Sequence, residues 1–372
     1  MADIVIAGYL GFANSGDEAL LTIVLSEIKR LMPDKTITVL SMRPRQTEVR
    51  HGVRAIYRYD IVALLREFMN SRVFVFGGGS LIQNATSRRS LGYYLFLLDL
   101  AKRCGMKTML FSNGIGPLRR GVGRKKAARM LSQVDAITLR DADSAALLSE
   151  IGASASCVTV TADTAFLLAD AVASGGCGVS YAGIADGTRY AVISVRPWGR
   201  AGGDCVTSVS RLCRHLNDSH GITPLLIPMQ YPRDVAVSER AAKASGVDVH
   251  IWRGAFSAED VMSVFGGAVL AVGMRLHTLI FAAVTGVPYV GISYDPKVSS
   301  FCREAGLPSV DIHDSPEALC RAADGVIGHR RELSERVVKM ARQSAVAAAK
   351  NTSILAELFS DAEHETNKVK NQ

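Results

Sequence analysis

A chain of 372 residues is too long for one ordinary hydrophobic core and predicts two domains. Hydrophobic residues make up 48% of the sequence and aromatic residues 6%, a composition that fits an α/β protein. The formal net charge of +8 predicts anionic partners: phosphorylated substrates, nucleic acid or an acidic membrane surface.

Cysteines and apolar segments argue against several classes of protein. The seven cysteines are scattered and form no CxxC pair, so neither a disulfide framework nor a zinc site is indicated. The N-terminal sequence MADIVIAGYLG has no basic segment ahead of its apolar residues, which argues against a signal peptide. No apolar run reaches the length of a membrane span. We therefore expect a soluble, cytoplasmic protein.

The first half of the chain alternates short β-branched runs with amphipathic helical patterns. The predicted strands, each buried on both faces, are DIVIAGY, TITVLSM, VFVFGGG, KTMLFSNGIG, AITLRD and CVTVTAD. The segments between them include EALLTIVLSEIKRLMP and LGYYLFLLDLAKRCG. Repetition of strand and helix predicts a parallel sheet with helices on both sides, and we assign it to residues 1–172.

A second α/β series follows a segment of small residues. Residues 173–188 are Gly-rich and are predicted to be a linker. The second domain, residues 189–330, contains the runs YAVISVR, TPLLIPM, VDVHIW, AVLAVG and PYVGISY. Two Rossmann-like halves are expected to face a cleft with the carboxyl ends of their strands. Residues 331–360 are predicted to form a helical segment that packs back across both domains.

Candidate ligand-binding residues follow the first strand, because doubly wound folds bind ligands outside the carboxyl ends of strands. Gly16 allows close approach of the backbone to a ligand, and Asp17 falls at the start of the next helix. The alternative is that Asp17 is a favourable acid at a helix N-terminus and no more. The glycine spacing is not GxGxxG, so a dinucleotide fingerprint is absent.

Further candidates of the first half follow its later strands. Three glycines, Gly77–Gly79, favour contact with a sugar or phosphate, although a tight packing turn would also use them. Asn113 is expected at the tip of its strand, and Asp163 follows VTVTA. Arg140 ends the strand AITLR and could instead pair at the surface with a neighbouring acid, Asp141 or Asp143.

Cations follow several strands of the second half. Arg196 ends YAVISVR, Arg275 and His277 interrupt the apolar segment GMRLHTLIF, and Lys297 follows PYVGISYDP. Grouped at strand ends, these side chains predict a small dianionic or trianionic ligand held by guanidinium groups. His277 suits proton transfer because imidazole titrates near neutrality, but a single histidine in an apolar run is more often a hydrogen-bonded core residue.

A basic run occupies residues 119–129, RRGVGRKKAAR, at the start of a predicted helix. It is either a solvated face or a contact for acidic lipid headgroups or a diphosphate. Nucleic acid is not expected, because no aromatic residues interleave with the cations.

Taken together, these segments resemble the polysaccharide pyruvyl transferase family, and most closely its bacterial cell-wall members of the CsaB type. The matching pieces cover nearly the whole chain in order: GYLGFANSGDEALL, FGGGSLIQ, SNGIGP, TLRDADS, ADTAFLL, SVRPW, GMRLHTLIFAAVTGVPYVGISYDPK and the C-terminal helix. The resemblance implies a GT-B-like fold, phosphoenolpyruvate as donor and a pyruvate ketal on a sugar as product. For the CsaB type it implies an N-acetylmannosamine residue of a lipid-linked secondary cell-wall polymer precursor, and a polymer that anchors surface-layer proteins.

The resemblance also implies roles for individual residues. The Arg-x-His feature of the family falls on Arg275 and His277, and its arginine after the fifth strand falls on Arg140. We predict His277 as the general acid and Asp17 as the base. The predicted donor-binding residues are Arg140, Arg196, Arg275, Leu276, His277 and Lys297, and the predicted acceptor-binding residues are Asn14, Gly16, Asp17, Gly78, Gly79, Asn113 and Asp163.

The expected partners are phosphoenolpyruvate, a lipid-linked saccharide and, through residues 119–129, the cytoplasmic face of the membrane; no cofactor, metal or nucleic acid is expected. Two other functions stay open. One is a GT-B glycosyltransferase that uses a nucleotide sugar, because the same cations would bind its diphosphate. The other is a sensor that binds a phosphorylated metabolite without turnover.

Overall fold

The computed structural model describes residues 2–84, 87–154, 157–169, 183–185, 187–198, 203–253 and 258–370. The chain forms two compact units, each built on one parallel sheet. Unit 1 comprises Met1–Phe12, Asp17–Thr164 and Ser344–Gln372, and unit 2 comprises Ala13–Gly16 and Ala165–Gln343. Two α/β domains are confirmed. The predicted linker at 173–188 falls largely outside the described residues.

The sheet of unit 1 has seven strands, of which the five central ones are almost completely buried, whereas the two edge strands carry exposed residues. In chain order they are β1 (Ile4–Ala7), β2 (Ile37–Ser41), β3 (Arg54–Tyr57), β4 (Val73–Ile82), β5 (Lys107–Ile115), β6 (Ala136–Leu139) and β7 (Val158–Val160). Their spatial order is β3-β2-β1-β4-β5-β6-β7, and all neighbours pair in parallel. Ile6, for example, lies between Val39 and Val75.

Helices cover both faces of this sheet, which is why its strands are apolar on both faces. They are α1 (Ser15–Leu31), α2 (Pro44–His51), α3 (Ile61–Phe68), α4 (Arg88–Arg103), α5 (Val122–Leu131) and α6 (Ala142–Glu150), followed by a 3₁₀ turn at Thr164–Leu168. On one face Phe68, Leu95 and Met130 of α3, α4 and α5 share a core. On the other face Leu25 of α1 packs in a core with Phe359 of the C-terminal helix.

Unit 2 repeats the same plan with six strands. They are β8 (Tyr190–Ser194), β9 (Thr223–Leu226), β10 (His250–Ile251), β11 (Leu270–Gly273), β12 (Tyr289–Ser293) and β13 (Ser309–Asp311), in the spatial order β10-β9-β8-β11-β12-β13. The helices are α7 (Gly203–His220), α8 (Val235–Ser245), α9 (Ala258–Gly266), α10 (Leu276–Val284), α11 (Pro296–Ala305), α12 (Pro316–Gly328) and α13 (Arg330–Lys370). Helix α13 belongs to unit 2 up to Gln343 and to unit 1 from Ser344.

The strand order of each sheet reverses at one point, between β1 and β4 in unit 1 and between β8 and β11 in unit 2. Connections leave these two strands toward opposite sides, and the crevice between them is where doubly wound sheets bind ligands. The loops after β1, β4, β8 and β11 are therefore where a ligand is expected to bind.

The structure corrects several sequence predictions of secondary structure. Strands β3 and β13 were not predicted, because RAIY and SVD are short edge strands without a β-branched run. Gly77–Gly79 lie inside β4 and do not follow it, and Asn113 is buried within β5 and not at its tip. The register of β4 against β5 shifts after Gly79, so both segments leave regular pairing near their carboxyl ends.

Candidate active-site residues

The switch point of unit 2 brings Arg196, Arg275 and His277 to one edge of the sheet. Arg196 follows β8, and Arg275 follows β11, the neighbouring strand. Leu276 and His277 form the start of α10, and Arg275 is its N-cap residue with an extended backbone and no side-chain cap. The first N–H groups of a helix lack intrahelical partners and carry partial positive charge, so this edge is suited to an anion.

Arg275 is held by a buried carboxylate that the sequence did not reveal. Its Nε and Nη2 donate to the two oxygens of Asp234 at 2.7 Å each, and Nη2 also donates to Gln230 Oε1 at 3.1 Å. Asp234 is 0% exposed and Arg275 12% exposed. The fork of the guanidinium is therefore occupied, and within the described residues Nη1 is the nitrogen without a hydrogen bond.

Arg196 lies against two aromatic rings. Its Nη1 donates to the hydroxyl of Tyr294 at 2.9 Å, and its guanidinium carbon is 5.0 Å from the centre of the Tyr294 ring. Trp198, which is exposed, lies 4.5 Å from Tyr294 between ring centres. Within the described residues Arg196 Nε is buried without a hydrogen-bond partner, so it retains a donor for a ligand.

Lys297 lies in the first turn of α11, after the next strand along the sheet, β12. Its Nζ is 3.3 Å from Asp295 Oδ2, and the other oxygen of Asp295 accepts from the Lys297 backbone N–H. Asp295 thus caps the helix and holds the ammonium group near the same edge as Arg196 and Arg275.

Residues 13–16 lie with unit 2 although they precede the rest of it by about 150 residues of chain. Ser15 N donates to Met229 O at 2.8 Å, Tyr231 N donates to Ala13 O at 3.2 Å, and Asn14 forms a bridge with Gln230. Gly16 lies directly against His277: a Cβ on Gly16 would be 2.2 Å from Nδ1 of the imidazole. The glycine is required there because no larger residue fits beside the ring.

In unit 1, the side chain of Arg140 is buried, and its shorter ion pair is with Asp163 and not with the adjacent Asp141. Its Nη1 donates to Asp163 Oδ2 at 3.0 Å and its Nη2 to Ser80 Oγ at 2.9 Å, while Asp141 is farther away at 3.5 Å. Arg140 is 5% and Asp163 3% exposed at the side chain. A Cβ at Gly114 would be 2.8 Å from Arg140 Nη2, so this glycine makes room for the guanidinium.

Asp17 lies over the glycines of β4. A Cβ at Gly79 would be 3.1 Å from Asp17 Oδ1, and Gly79 and Gly78 both have positive φ (78° and 86°), which favours glycine. Asn113 donates through Nδ2 to Gly79 O at 3.2 Å. Within the described residues its buried Oδ1 has no hydrogen-bond partner, so it is available to a ligand donor.

The neighbouring acid, Glu18, has a different environment from Asp17. Its Oε1 accepts from Gly11 N at 2.9 Å, and Oε2 lies 3.7 Å from His51 Nε2. Glu18 is buried and orders the loop after β1, which suits a structural carboxylate.

Arg58, which the sequence analysis did not single out, lies in an aromatic cage beside the same loop. It is buried, its Nη1 donates to Gly8 O at 3.1 Å, and it lies over the ring of Tyr93 at 4.5 Å. Burial raises the pKa of Tyr93 to about 12 although the Arg58 cation opposes that shift, so the phenol is neutral at physiological pH. The sequence did not indicate this cage, because Arg58 is a single arginine after β3, a strand that was not predicted.

The predicted residues thus divide between the two units. Unit 2 holds Asn14, Gly16, Arg196, Arg275, Leu276, His277 and Lys297, whereas unit 1 holds Asp17, Gly78, Gly79, Asn113, Arg140 and Asp163. The residues missed by the sequence analysis are partners that orient these groups: Ser80, Gln230, Asp234 and Tyr294.

The family model described as polysaccharide pyruvyl transferase matches residues 14–296. The chain belongs to the polysaccharide pyruvyl transferase family. Membership in this pyruvyl transferase family makes the chain a transferase, and the family resemblance seen in the sequence is confirmed. The matched range contains every candidate residue described above except Lys297, which directly follows it. No curated protein sequence matches the chain.

Solved structures similar to this pyruvyl transferase family member include enzymes of nucleotide-sugar chemistry. UDP-GlcNAc 2-epimerase from Neisseria meningitidis bound to UDP-GlcNAc has a TM-score of 0.68 and 10% identity, covering 96% of this chain and 99% of that one. S. aureus MnaA with UDP has a TM-score of 0.68 and 13% identity, covering 94% of each chain. A glycosyltransferase from Rickettsia africae has a TM-score of 0.62 and 11% identity, covering 96% of this chain and 98% of that one. At these identities the likeness shows the fold alone, which is GT-B-like with two Rossmann-like domains.

Proposed function

We propose that the chain transfers the pyruvyl group of phosphoenolpyruvate to two hydroxyls of a sugar and so forms a pyruvate ketal. The observation that carries this proposal is the gathering of Arg196, Arg275, His277 and Lys297 at the carboxyl edge of β8, β11 and β12. A carboxylate and a phosphate on one small molecule need several cations at close range. Membership in the polysaccharide pyruvyl transferase family supplies the acceptor class.

Donor binding in this proposal depends mainly on cations whose donors are not already engaged. Arg196 retains Nε, and Lys297 is paired with Asp295 at a longer distance of 3.3 Å. Arg275 offers Nη1, because Asp234 engages its fork. The first turn of α10 adds backbone N–H groups at Leu276 and His277. Arg140 stays a predicted donor ligand, with two of its nitrogens engaged by Asp163 and Ser80.

The reaction begins with proton transfer from His277 to the methylene carbon of the donor, which turns that carbon into a methyl group and makes C2 electrophilic. A sugar hydroxyl then adds to C2 and forms the first C–O bond, while Asp17 takes its proton. The C2–O bond to phosphate breaks, and phosphate leaves with the electron pair and takes the proton from Asp17, so that hydrogen phosphate is released and the carboxylate is restored. The second hydroxyl adds to C2 and closes the ketal, and its proton restores His277.

We propose an acceptor of the CsaB type: an N-acetylmannosamine residue of a lipid-linked precursor of a secondary cell-wall polymer, whose pyruvylated form anchors surface-layer proteins. Such a precursor is reached at the cytoplasmic face of the membrane. Among the described residues, no helix has the length and apolar character of a membrane span. We propose that the protein contacts this membrane through its surface.

The surface we propose for that contact is the rim formed by the first turns of α3, α4 and α5 and the two arginines that precede α5, called here the basic rim. These helices cover one face of the sheet and begin after β3, β4 and β5, so their N-termini lie along the same edge. Val122, the first residue of α5, is 84% exposed, and Lys125 and Lys126 in the same helix are also exposed. The remaining exposed members are Ile61, Val62, Arg88, Arg89, Arg119 and Arg120. Exposed apolar side chains among cations suit the surface of an anionic bilayer.

Replacing Lys125 and Lys126 by glutamine is expected to weaken binding to vesicles containing anionic lipid by about 10- to 30-fold at low salt, at roughly 1 kcal/mol per cation. Turnover of a lipid-linked acceptor should fall with it, whereas turnover of a soluble saccharide should not change. Arg124 is left in place because it pairs with Glu150 at 2.8 Å. The control replaces Lys29 and Arg66, exposed cations in the last turns of α1 and α3, with the same change in charge. Equal losses in both variants would contradict the basic rim.

The proposed reaction is tested by mass spectrometry of an N-acetylmannosaminide acceptor after incubation with phosphoenolpyruvate. We expect a mass gain equal to one pyruvyl ketal and release of one inorganic phosphate. The second candidate, a nucleotide-sugar glycosyltransferase, is favoured by the solved structures of similar fold that hold UDP or UDP-GlcNAc. It would release a nucleotide and add a sugar mass. Saturable binding without turnover would identify a sensor and overturn the proposal.

A further inference from the structure

Three metal-ligating side chains converge where α7 packs against α12 in unit 2. Nε2 of His215 and Nε2 of His220 each lie 2.7 Å from the same atom, Oδ1 of Asp324. All three groups are partly exposed. The cluster lies near the C-terminal ends of α7 and α12, hence at the amino edge of the sheet, opposite the edge that holds Arg196 and Arg275. The proposed transferase function does not use it.

The hydrogen bonds around this cluster already orient it for a cation. The second ring nitrogen of His215, Nδ1, is 3.3 Å from Ser219 Oγ. A hydroxyl at Nδ1 can accept its hydrogen and leave Nε2 as the electron-pair donor, which is the usual outer-shell arrangement of a histidine ligand.

We propose that His215, His220 and Asp324 bind a divalent transition-metal ion, with Zn²⁺ as the ion that fits best. Two imidazoles and one carboxylate form an N₂O set that suits zinc, with bond lengths of about 2.0–2.2 Å and hence ligand separations of about 3.3 Å in a tetrahedron. The ligand atoms all lie within 4.8 Å of one another, so rotation of the side chains suffices to open the site. Solvent supplies the fourth ligand, because the cluster is partly exposed.

The surroundings favour a cation at the site but are not uniformly negative. His220 is the last residue of α7, and the C-terminus of a helix carries partial negative charge. Arg189 opposes this in part, since its Nη1 donates to His220 O at 3.2 Å. Bound metal would join α7 to α12 and stabilise unit 2, because an ion that binds the folded state alone shifts the unfolding equilibrium.

Sequence spacing does not reveal this cluster. His215 and His220 enclose four residues, a spacing that zinc fingers use together with a CxxC pair, which this sequence lacks, and Asp324 follows His215 by 109 residues. The sequence analysis accordingly expected no metal site. Packing of α7 against α12 brings the third ligand to the first two.

The test is calorimetric titration of the metal-stripped protein with Zn²⁺. We expect one ion per chain at this site and a rise in the melting temperature on binding. Asp324→Asn and His220→Gln should each weaken binding by at least about 10-fold, and Ser219→Ala by about 10-fold through the orientation of His215. The matched control is His329→Gln, because His329 is an exposed histidine outside the cluster. No binding, or equal binding by wild type and the ligand variants, would overturn the site.

A measurement on the unaltered chain guards against variants that fold poorly. Co²⁺ should give the visible spectrum of nitrogen and oxygen ligation, and it should broaden the NMR signals of two histidine rings. Both effects should fade below about pH 6, because protons compete for imidazole. A sulfur-to-cobalt charge-transfer band would assign the ion to cysteines, of which Cys157 is exposed, and would overturn the proposal.

Discussion

Replacing Asp234 by alanine is expected to lower the free energy of unfolding of unit 2 by about 3–5 kcal/mol, the cost of breaking a buried ion pair from one side. Its fully buried carboxylate accepts two bonds of 2.7 Å from Arg275 and one of 3.0 Å from the Gln230 backbone N–H. Alanine would leave the guanidinium without its carboxylate and the N–H without its acceptor, and neither is well placed to recruit water.

Denaturation in urea followed by tryptophan fluorescence measures this loss in the correct unit. The sequence has two tryptophans, and both Trp198 and Trp252 belong to unit 2. The matched control is Glu239→Ala. Glu239 pairs with Arg253 at the same distance of 2.7 Å, but the two side chains are 45% and 58% exposed. Screening limits such a pair to about 1 kcal/mol or less. If both variants lose equally little stability, Asp234 is not the anchor of Arg275.

Removing both partners separates the structural part of Arg275 from its proposed part in donor binding. The double variant Asp234→Leu, Arg275→Met should recover much of the lost stability, because buried ion pairs can often be replaced by apolar side chains. Affinity for phosphoenolpyruvate should stay reduced, since a charge-assisted contact contributes about 1.5–3 kcal/mol. Recovery of both stability and donor affinity would show that Arg275 serves the fold alone.

Local patterns were sufficient to predict most of the fold. Mostly apolar runs such as VFVF and AITL, separated by amphipathic segments, indicate strands covered on both faces, and the structure has them as β4 and β6. The runs RAIY and SVD were not predicted as strands, because edge strands are less buried and need fewer apolar residues. Gly77–Gly79 suggested a break after β4, but positive φ at two of them bends the strand without ending it.

The residues of the candidate site could be predicted from the sequence, but their hydrogen-bond and ion-pair partners could not. A charged residue in an apolar run, such as Arg275, signals either a ligand or a buried counter-ion. The sequence cannot choose between these, because Asp234 precedes it by 41 residues and lies at the start of an unremarkable helix. Arg140 shows the same limit: adjacent Asp141 suggested a surface pair, whereas the nearer carboxylate is that of Asp163, 23 residues away.

Replacing His277 by glutamine is expected to lower turnover by roughly 10²- to 10⁴-fold, the usual contribution of a positioned general acid. Donor affinity should stay within a few-fold of wild type, because the amide keeps a hydrogen-bonding group of similar reach. The wild-type rate should also decline at high pH as the imidazole loses its proton, and that decline should vanish in the variant. Activity within a few-fold of wild type in a folded variant would remove His277 from the chemistry.

Gly16→Ala tests the position of the imidazole without removing it. The added methyl group would lie 2.2 Å from Nδ1 and 2.6 Å from Cγ of His277, so either the ring or the first turn of α1 must move. A displaced acid is a poor acid, because a shift of about 1 Å can cost about 100-fold in rate. We expect turnover to fall while the pH dependence of the remaining activity is kept, since the proton donor is still present.

The control for that variant is Gly92→Ala, at a helical glycine of α4 where a Cβ would meet nothing within 4 Å. Alanine there should stabilise unit 1 by up to about 1 kcal/mol and leave turnover unchanged. If Gly16→Ala keeps its turnover rate as Gly92→Ala does, the ring of His277 can move without loss of activity. A proton donor that must reach one carbon atom would not tolerate such a movement. If Gly16→Ala keeps the wild-type rate and His277→Gln unfolds the protein, the histidine supports the core, and the proton comes from another group.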